Sequence, residues 1–241
     1  MTSNHNSNTH AMILAAGKGT RLRPRTDKTP KPLVKVAGKA LIDYSFDLLR
    51  KAGIQEVVVN KHHLGDQIED HVHAKQGFNI RVSDEAAKLL ETGGGVHKAL
   101  PILGALPFFV LNSDVIVLDH GSNSLRKMQD IWDSEKMDAL LLLHPMETAV
   151  GYEGQGDFFM EDTGQITRRV PGQSAPYMFT GVQLLTPALF DGVKGGIFSL
   201  NVLYDKAAAA GRLFGLHHDG KWLHVGTEEA LVVATEKING T

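Results

Sequence analysis

Four strand-like runs, Ala11–Leu14, Glu56–Asn60, Asn79–Ser83 and Pro107–Asn112, alternate with segments of helical spacing along the first half of the chain. The first helical segment, Leu41–Lys51, sets Leu41, Ile42, Ser45, Leu48 and Leu49 on one face and stops at Gly53, a residue favoured just past a helix end. Leu64–Ala74 follows with Leu64, Ile68 and Val72 inward, and a short helix is expected between Gly95 and about Leu100. Strands apolar on both faces that alternate with helices form a parallel sheet covered on both sides, the α/β class. Such sheets take ligands at the carboxyl ends of their strands. Four loops with candidate chemistry lie there: Gly17–Pro32, the segment from Asn60, Leu89–Gly95 and Asn112–Asp114.

The first of these loops is cationic. Lys18, Arg21, Arg23, Arg25, Lys28 and Lys31 fall in it, opposed only by Asp27, whereas the formal net charge of the 241-residue chain is -2. A local concentration of cations in a near-neutral chain points to a small anionic ligand. It argues against nucleic acid, which calls for a basic face. Glycine at 17 and 19 lets backbone N–H groups approach a polyphosphate closely. Pro30 and Pro32 restrict the backbone around Lys31 and so fix where its ammonium points. The loop is not a P-loop, because the required first glycine is Met12. Nor is it a dinucleotide fingerprint, because the third glycine is Leu22, and position 60, where a dehydrogenase of this layout needs an acidic residue, is Asn60.

The absence of cysteine removes thiolate chemistry and disulfides and fits a reducing cytoplasm. No apolar run approaches the roughly 18 residues of a membrane span. The first ten residues, polar throughout after Met1, read as a disordered tail without the apolar core of a signal peptide, leaving 11–241 as one domain. In the second half, Ser122–Ser134 reads as a helix with Leu125, Met128, Ile131 and Trp132 inward, and Ala139–Leu143 as a strand. The glycine-rich stretch 151–172 reads as hairpin-like excursions away from the main sheet. Tyr177–Leu185 and Leu213–His217 read as strands, and Asn201–Ala210 as a helix ended by Gly211. Thr227 suits a helix N-cap, with Glu228 and Glu229 in the first turn. The pairs His62-His63 and His217-His218, and His71 with His73, lack metalloprotease spacing and read as surface residues. Asp114, after the buried run Phe108–Leu111, reads as either a turn residue or a metal ligand.

At this level of detail the chain resembles a family. Leu14-Ala-Ala-Gly-x-Gly-Thr-Arg-Leu-Arg-Pro24 followed by Thr29-Pro-Lys-Pro-Leu33 is similar to the signature of bacterial sugar-1-phosphate nucleotidylyltransferases. Leu90-Glu-Thr-Gly-Gly-Gly95 resembles the family's nucleobase segment, Asn112-Ser-Asp114 its strand-end metal segment, and Trp222-Leu-His-Val-Gly-Thr227 its Trp-x-Asp-x-Gly-Thr motif. The resemblance implies a three-layer α/β/α Rossmann-like fold, with a nucleotide-binding half over about 11–120 and a sugar-binding half over about 121–241. It implies transfer of a nucleoside monophosphate from an NTP to a sugar-1-phosphate with release of pyrophosphate. Members acting on UTP with N-acetylmuramate-1-phosphate match best, and mannose-1-phosphate guanylyltransferases are near neighbours.

By the same resemblance Arg21 and Lys31 are the catalytic cations, one for the departing phosphates and one for the reacting ones. Leu14, Ala15, Ala16, Gly17, Lys18, Gly19, Thr20, Asn60, Glu91, Thr92, Gly93, Gly94 and Asn112 frame the nucleotide. Thr180 and Gly181 face the sugar, with Glu153, Asp157, Asn201, Arg168 and Arg169 in reach. Asp114 holds Mg2+. His224 stands where the family has a second aspartate, a substitution that suits Mn2+ or a phosphate contact better than Mg2+. A nucleotide-binding relative that no longer turns over is the alternative that this departure raises.

Overall fold

The computed structural model describes residues 9–240. The tail expected over the first ten residues lies outside them as far as residue 8, and His10 already belongs to the first strand. From β1 (His10–Leu14) the chain runs through three single-turn 3-10 segments to a two-residue ribbon, β2 (Lys35–Val36) and β3 (Lys39–Ala40), and then α1 (Leu41–Ala52). β4 (Glu56–Lys61), α2 (Gly65–His73), β5 (Asn79–Asp84), α3 (Glu91–Leu103) and β6 (Phe108–Asn112) complete the alternating half. β7 (Val115–Leu118), α4 (Ser124–Ile131), β8 (Ala139–Pro145), the β9 (Phe158–Met160) and β10 (Ile166–Arg168) hairpin, and β11 (Tyr177–Leu185) follow. The chain closes with α5 (Asn201–Ala209), β12 (Leu213–His217), β13 (Lys221–His224) and α6 (Glu228–Asn239).

Nine strands form the central sheet. β5, β4, β1 and β6 run parallel in that order, as the alternation of elements predicts. β11 pairs antiparallel with β6 and with β8, and β12 returns parallel to β8. Successive residues of a strand point to opposite faces. Ala11 and Ile13 of β1 accordingly join one core with Phe46 of α1, Ile68 of α2 and Leu125 of α4, while Met12 joins another with Val96 of α3 and Leu203 of α5. Each such fully buried Ile, Leu or Phe contributes roughly 1.5–3 kcal/mol, which is what fixes the register of β1 between its neighbours. A third, smaller core lies under α6, where Val36, Tyr44, Ile116, Leu223 and Val225 meet Ala234.

Several expectations are corrected. Gly93, Gly94 and Gly95 do not form a loop before a helix but lie inside α3. Glycine costs about 1 kcal/mol in a helix interior, but here close packing excludes anything larger. A Cβ at 93 would stand 2.4 Å from the Phe198 ring, and one at 94 would stand 2.1 Å from the Gly196 carbonyl oxygen. The β9–β10 hairpin joins the edge of the central sheet beside β11 rather than leaving it. Ile131 is exposed because α4 ends there, short of the expected Ser134. His218 is buried and not a surface residue. The β7–β13 ribbon is an additional element, pairing Val115 with His224. Thr227 caps α6 as expected, its hydroxyl accepting from Ala230 N at 3.2 Å.

Candidate active site

The cationic loop is folded back onto itself. Gly19 has φ +61°, and a Cβ there would lie 2.8 Å from Lys31 Cβ, so a glycine is required where the two halves of the loop touch. Thr26 Oγ1 donates to the Gly19 carbonyl at 2.9 Å, and His63 Nε2 contacts the Thr26 carbonyl at 2.8 Å. Arg25 ties the loop to α6 with two bonds to Glu228, Nε to Oε1 at 2.8 Å and Nη2 to Oε2 at 3.0 Å. Lys31, at the other end of the loop and only 8 % exposed, donates from Nζ to Asp114 Oδ2 at 2.8 Å.

Asp114 sits in the turn after β6. Ser113 Oγ donates to the Leu14 carbonyl at 2.6 Å, tying that turn to the end of β1, and Val225 N donates to the Asp114 carbonyl at 3.2 Å. His224, at the end of β13, brings Nε2 to 4.0 Å from Asp114 Oδ2, while Nδ1 lies 3.3 Å from the Gly151 carbonyl. Its ring stacks on Trp222, with 6.0 Å between centroids and 9° between planes. Arg21 approaches the same place: its Nη1 and the His224 ring are the atoms a Cβ on Gly226 would meet. Burial pushes the Asp114 carboxyl up, but Lys31 first, then His224 and Arg21, outweigh it and hold the group below its ordinary range. Burial lowers the His224 imidazolium; Asp114 opposes that shift, and the Lys31 charge adds to it.

Two observations bear on a metal ion. Among the described residues Asp114 Oδ1 accepts no hydrogen bond, and His224 Nε2 stands 4.0 Å from Oδ2, the oxygen that takes Lys31 Nζ. No group of three or more His, Asp or Glu among the described residues could hold a metal by itself. A carboxylate completed by substrate phosphates and water is the setting in which Mg2+ is normally held. The donor set fits such an ion.

Beside this cluster opens a cleft of about 280 Å³, with Leu14, Ala16 and Gly17 on one wall, Glu91 and Thr92 on the other, and Lys31 and Asp114 at its end. Asn112 also lines it, while Lys18 and Thr20 stand exposed on the loop outside. Three backbone groups expected to frame a nucleotide are engaged elsewhere. Ala15 N donates to Asn60 Oδ1 at 2.6 Å, and Gly93 N and Gly94 N both donate to the Phe198 carbonyl, at 2.9 and 3.1 Å. Glu91, the first residue of α3, has φ +65°, a strained setting for a side chain at the mouth of a cleft. Glu85 has no sequence signal and is found only in the structure: it lines the cleft at 1 % exposure and bonds Asn60.

The candidate sugar residues scatter. Asp157, Asn201, Arg168 and Arg169 line a second cleft of about 300 Å³ with Phe179 and Tyr204. There Asp157 Oδ2 accepts from Phe179 N at 2.9 Å, and Arg168 pairs with Asp205 at 3.2 Å. Thr180 is fully buried. Its hydroxyl donates to the Leu142 carbonyl at 2.8 Å and its own carbonyl accepts from Trp222 Nε1 at 2.9 Å, so it is a strut between β8, β11 and β13. Gly181, with φ +86°, lets β11 lie against Asn112. Glu153 is exposed and lines neither cleft.

A family model described as nucleotidyl transferase matches residues 10–168. The chain belongs to the nucleotidyl transferase family. The transferase is 39% identical over 232 residues to N-acetylmuramate alpha-1-phosphate uridylyltransferase of Caulobacter vibrioides, covering 95% of this chain and 96% of that one. It is 38% identical to the enzyme of the same name from Neisseria meningitidis, covering 90% and 93%. A mannose-1-phosphate guanylyltransferase catalytic subunit beta of Xenopus tropicalis is 29% identical over 90% of this chain and 61% of its own length. In fold the transferase matches UDP-glucose pyrophosphorylase complexed with UDP-glucose, with TM-score 0.79 at 16% identity over 96% and 98% of the two chains. It also matches a putative glucose-1-phosphate thymidylyltransferase from Bacillus anthracis, with TM-score 0.77 at 19% identity over 97% and 96%.

Proposed function

We propose that the transferase moves uridylate from UTP to N-acetylmuramate-1-phosphate, releasing pyrophosphate, as one domain whose first half takes the nucleotide and whose second half takes the sugar. The observation that carries this reading is the meeting of Lys31, Asp114, His224 and Arg21 at the carboxyl ends of β1 and β6, beside a cleft that Lys31 and Asp114 line. The names of the two relatives near 39% identity supply the base and the sugar. A sugar-phosphate oxygen forms a bond to the α-phosphorus while the bond from that phosphorus to the bridging oxygen of pyrophosphate breaks. The nucleophile is already an anion, so the chain's task is positioning and charge neutralisation rather than proton abstraction. Lys31 stabilises charge at the phosphorus under attack, and Arg21 holds the phosphates that leave. Asp114, with His224 beside it, would hold Mg2+ or Mn2+, which when bound neutralises phosphate charge. Asp157, Asn201 and Arg169 contact the hexose. Among the described residues no helix is long and apolar enough to cross a membrane, and substrates of this chemistry favour a cytoplasmic site of action.

A pyrophosphate-release assay with Mg2+ or Mn2+ over four NTPs and a panel of sugar-1-phosphates tests the reading. UTP with N-acetylmuramate-1-phosphate is expected to give the highest kcat/KM. Faster turnover of GTP with mannose-1-phosphate would replace both substrates. His224 motivates a second reading, a nucleotide-binding relative without turnover; calorimetric UTP binding with no release from any pair would favour it.

A further inference from the structure

The two walls of the nucleotide cleft are joined by one chain of buried hydrogen bonds. Ala15, between the wall residues Leu14 and Ala16, donates from its backbone N to Asn60 Oδ1 at 2.6 Å. Asn60 Nδ2 donates to Glu85 Oε1 at 2.7 Å, and Glu85 Oε2 accepts from Leu90 N, just before the opposite wall, at 3.0 Å. Asn60 is 3% and Glu85 1% exposed, and both line the cleft with their polar ends tied to one another. The glycine at 95 belongs to the same arrangement, since a Cβ there would stand 2.8 Å from Glu85 Oε1 and 3.1 Å from Asn60 Nδ2. α3 therefore lies directly against the pair. Glu85 is also pinned from behind: its N donates to the Lys61 carbonyl at 2.8 Å, and its carbonyl lies 2.8 Å from His62 Nδ1.

We propose that Glu85 is a positioning residue for the nucleotide, acting through Asn60 to set the spacing between the Leu14–Gly17 and Glu91–Thr92 walls. The proposal rests on the reading of this cleft as the nucleotide site. The chemistry of the donors explains the residue types. Only a group with two acceptor oxygens can take both Asn60 Nδ2 and Leu90 N, and that demand fixes which end of the Asn60 amide faces Ala15 N. A glutamine at 85 turns one acceptor into a donor. Either Leu90 N loses its partner, or the Asn60 amide flips and presents its own N–H to that of Ala15. An unpartnered buried donor loosens one wall.

The same logic gives a reciprocal test. In Asn60→Asp with Glu85→Gln the carboxylate moves one place along the chain. The new carboxylate at position 60 then accepts from Ala15 N and from the new amide at position 85. The oxygen of that amide accepts from Leu90 N, and all three bonds are restored in the same shape. UTP affinity is measured by titration calorimetry, and KM for UTP and for the sugar phosphate by pyrophosphate release, in the wild type, both single variants and the double variant. Each single variant is expected to weaken UTP binding and raise the UTP KM about tenfold or more, leaving the sugar-phosphate KM within about threefold. The double variant is expected to return UTP affinity to within about threefold of the wild type. A double variant no better than the weaker single one, or one that does not fold, overturns the proposal. So does an unchanged UTP affinity in Glu85→Gln, or an equal rise in both KM values. Calorimetry reads the cleft without turnover, so an inactive wild type that binds UTP counts against the reaction assigned above and leaves this test intact. A wild type that does not bind UTP overturns both.

Discussion

Lys31 Nζ lies 2.8 Å from Asp114 Oδ2, so the cation assigned to the reacting phosphates and the carboxylate assigned to the metal neutralise each other across the end of the cleft. The pair is unevenly covered: the lysine side chain is 11% exposed and the aspartate 32%. On the proposed reading, a phosphate entering the cleft would compete with Asp114 for the ammonium.

Lys31→Ala is expected to lower kcat/KM by about 100-fold or more, the scale seen when one donor to a developing charge is lost. Asp114 remains reachable by water, so the stability cost should stay near 1 kcal/mol, or roughly 2–4 °C in Tm. The acid limb of the pH–rate profile moves with it. Burial raises the Asp114 carboxyl, and Lys31 is the foremost of the groups that together outweigh it, ahead of His224 and Arg21, so removing Lys31 should shift that limb to higher pH. Parallel pH–rate and melting curves check both; near-normal kcat/KM would take Lys31 out of the reaction.

His224→Asp replaces the imidazole, whose Nε2 lies 4.0 Å from Asp114 Oδ2, with an oxygen donor of the kind Mg2+ prefers. Turnover supported by Mg2+ should rise severalfold and the ratio of Mn2+- to Mg2+-supported activity should fall. An unchanged ratio would mean that His224 serves only to pack against Trp222.

Gly94→Ala places a Cβ 2.1 Å from the Gly196 carbonyl oxygen, a backbone atom that cannot swing aside. The gain in helix propensity, about 1 kcal/mol, should be outweighed by overpacking, for a net loss of about 1–3 kcal/mol. Urea unfolding measures it, and a variant more stable than the wild type would contradict the packing of α3 on the 196–198 segment.

His144 and His218 face each other at 5.6 Å between centroids, both nearly inaccessible. Burial pushes both imidazolium groups below the usual range. The folded chain therefore binds fewer protons than the unfolded one around the ordinary histidine value of about 6.5. The stability they contribute is whole above that value and is lost as the pH falls through the lower folded values. Tm should fall between pH 7 and pH 5, and His144→Gln should flatten that fall; an equal slope in the variant would assign it to other groups.

The fold was legible where a residue's effect is local. Gly53, with φ +81° at the end of α1, and Thr227, capping α6, act within one turn of chain and could be read directly. Strand ends were short by one residue at His10, Lys61 and Asp84, since polar strand ends resemble loops. Gly93 and Gly94 misled because helix propensity speaks against them, whereas the deciding contacts are Phe198 and Gly196, more than a hundred residues away. The β7–β13 ribbon is too short for a periodic signal, and its pairing joins segments about a hundred residues apart. In the site, the charged residues of the loop and Asp114 were visible by type and position. Glu85 was not, because a buried carboxylate and a solvated one look alike until their partners are known.

The β7–β13 pairing also orders events during synthesis. All nine strands of the central sheet lie before residue 218, while His224 and the Glu228 anchor for Arg25 come after it. Chains emerge amino end first and fold as they lengthen. A nascent chain paused at Gly220 therefore carries every strand of the sheet but lacks the histidine beside Asp114 and the helix that ties down the cationic loop. Completion of the candidate site therefore waits on residues that follow the last strand of the sheet, His224 on β13 and Glu228 on α6.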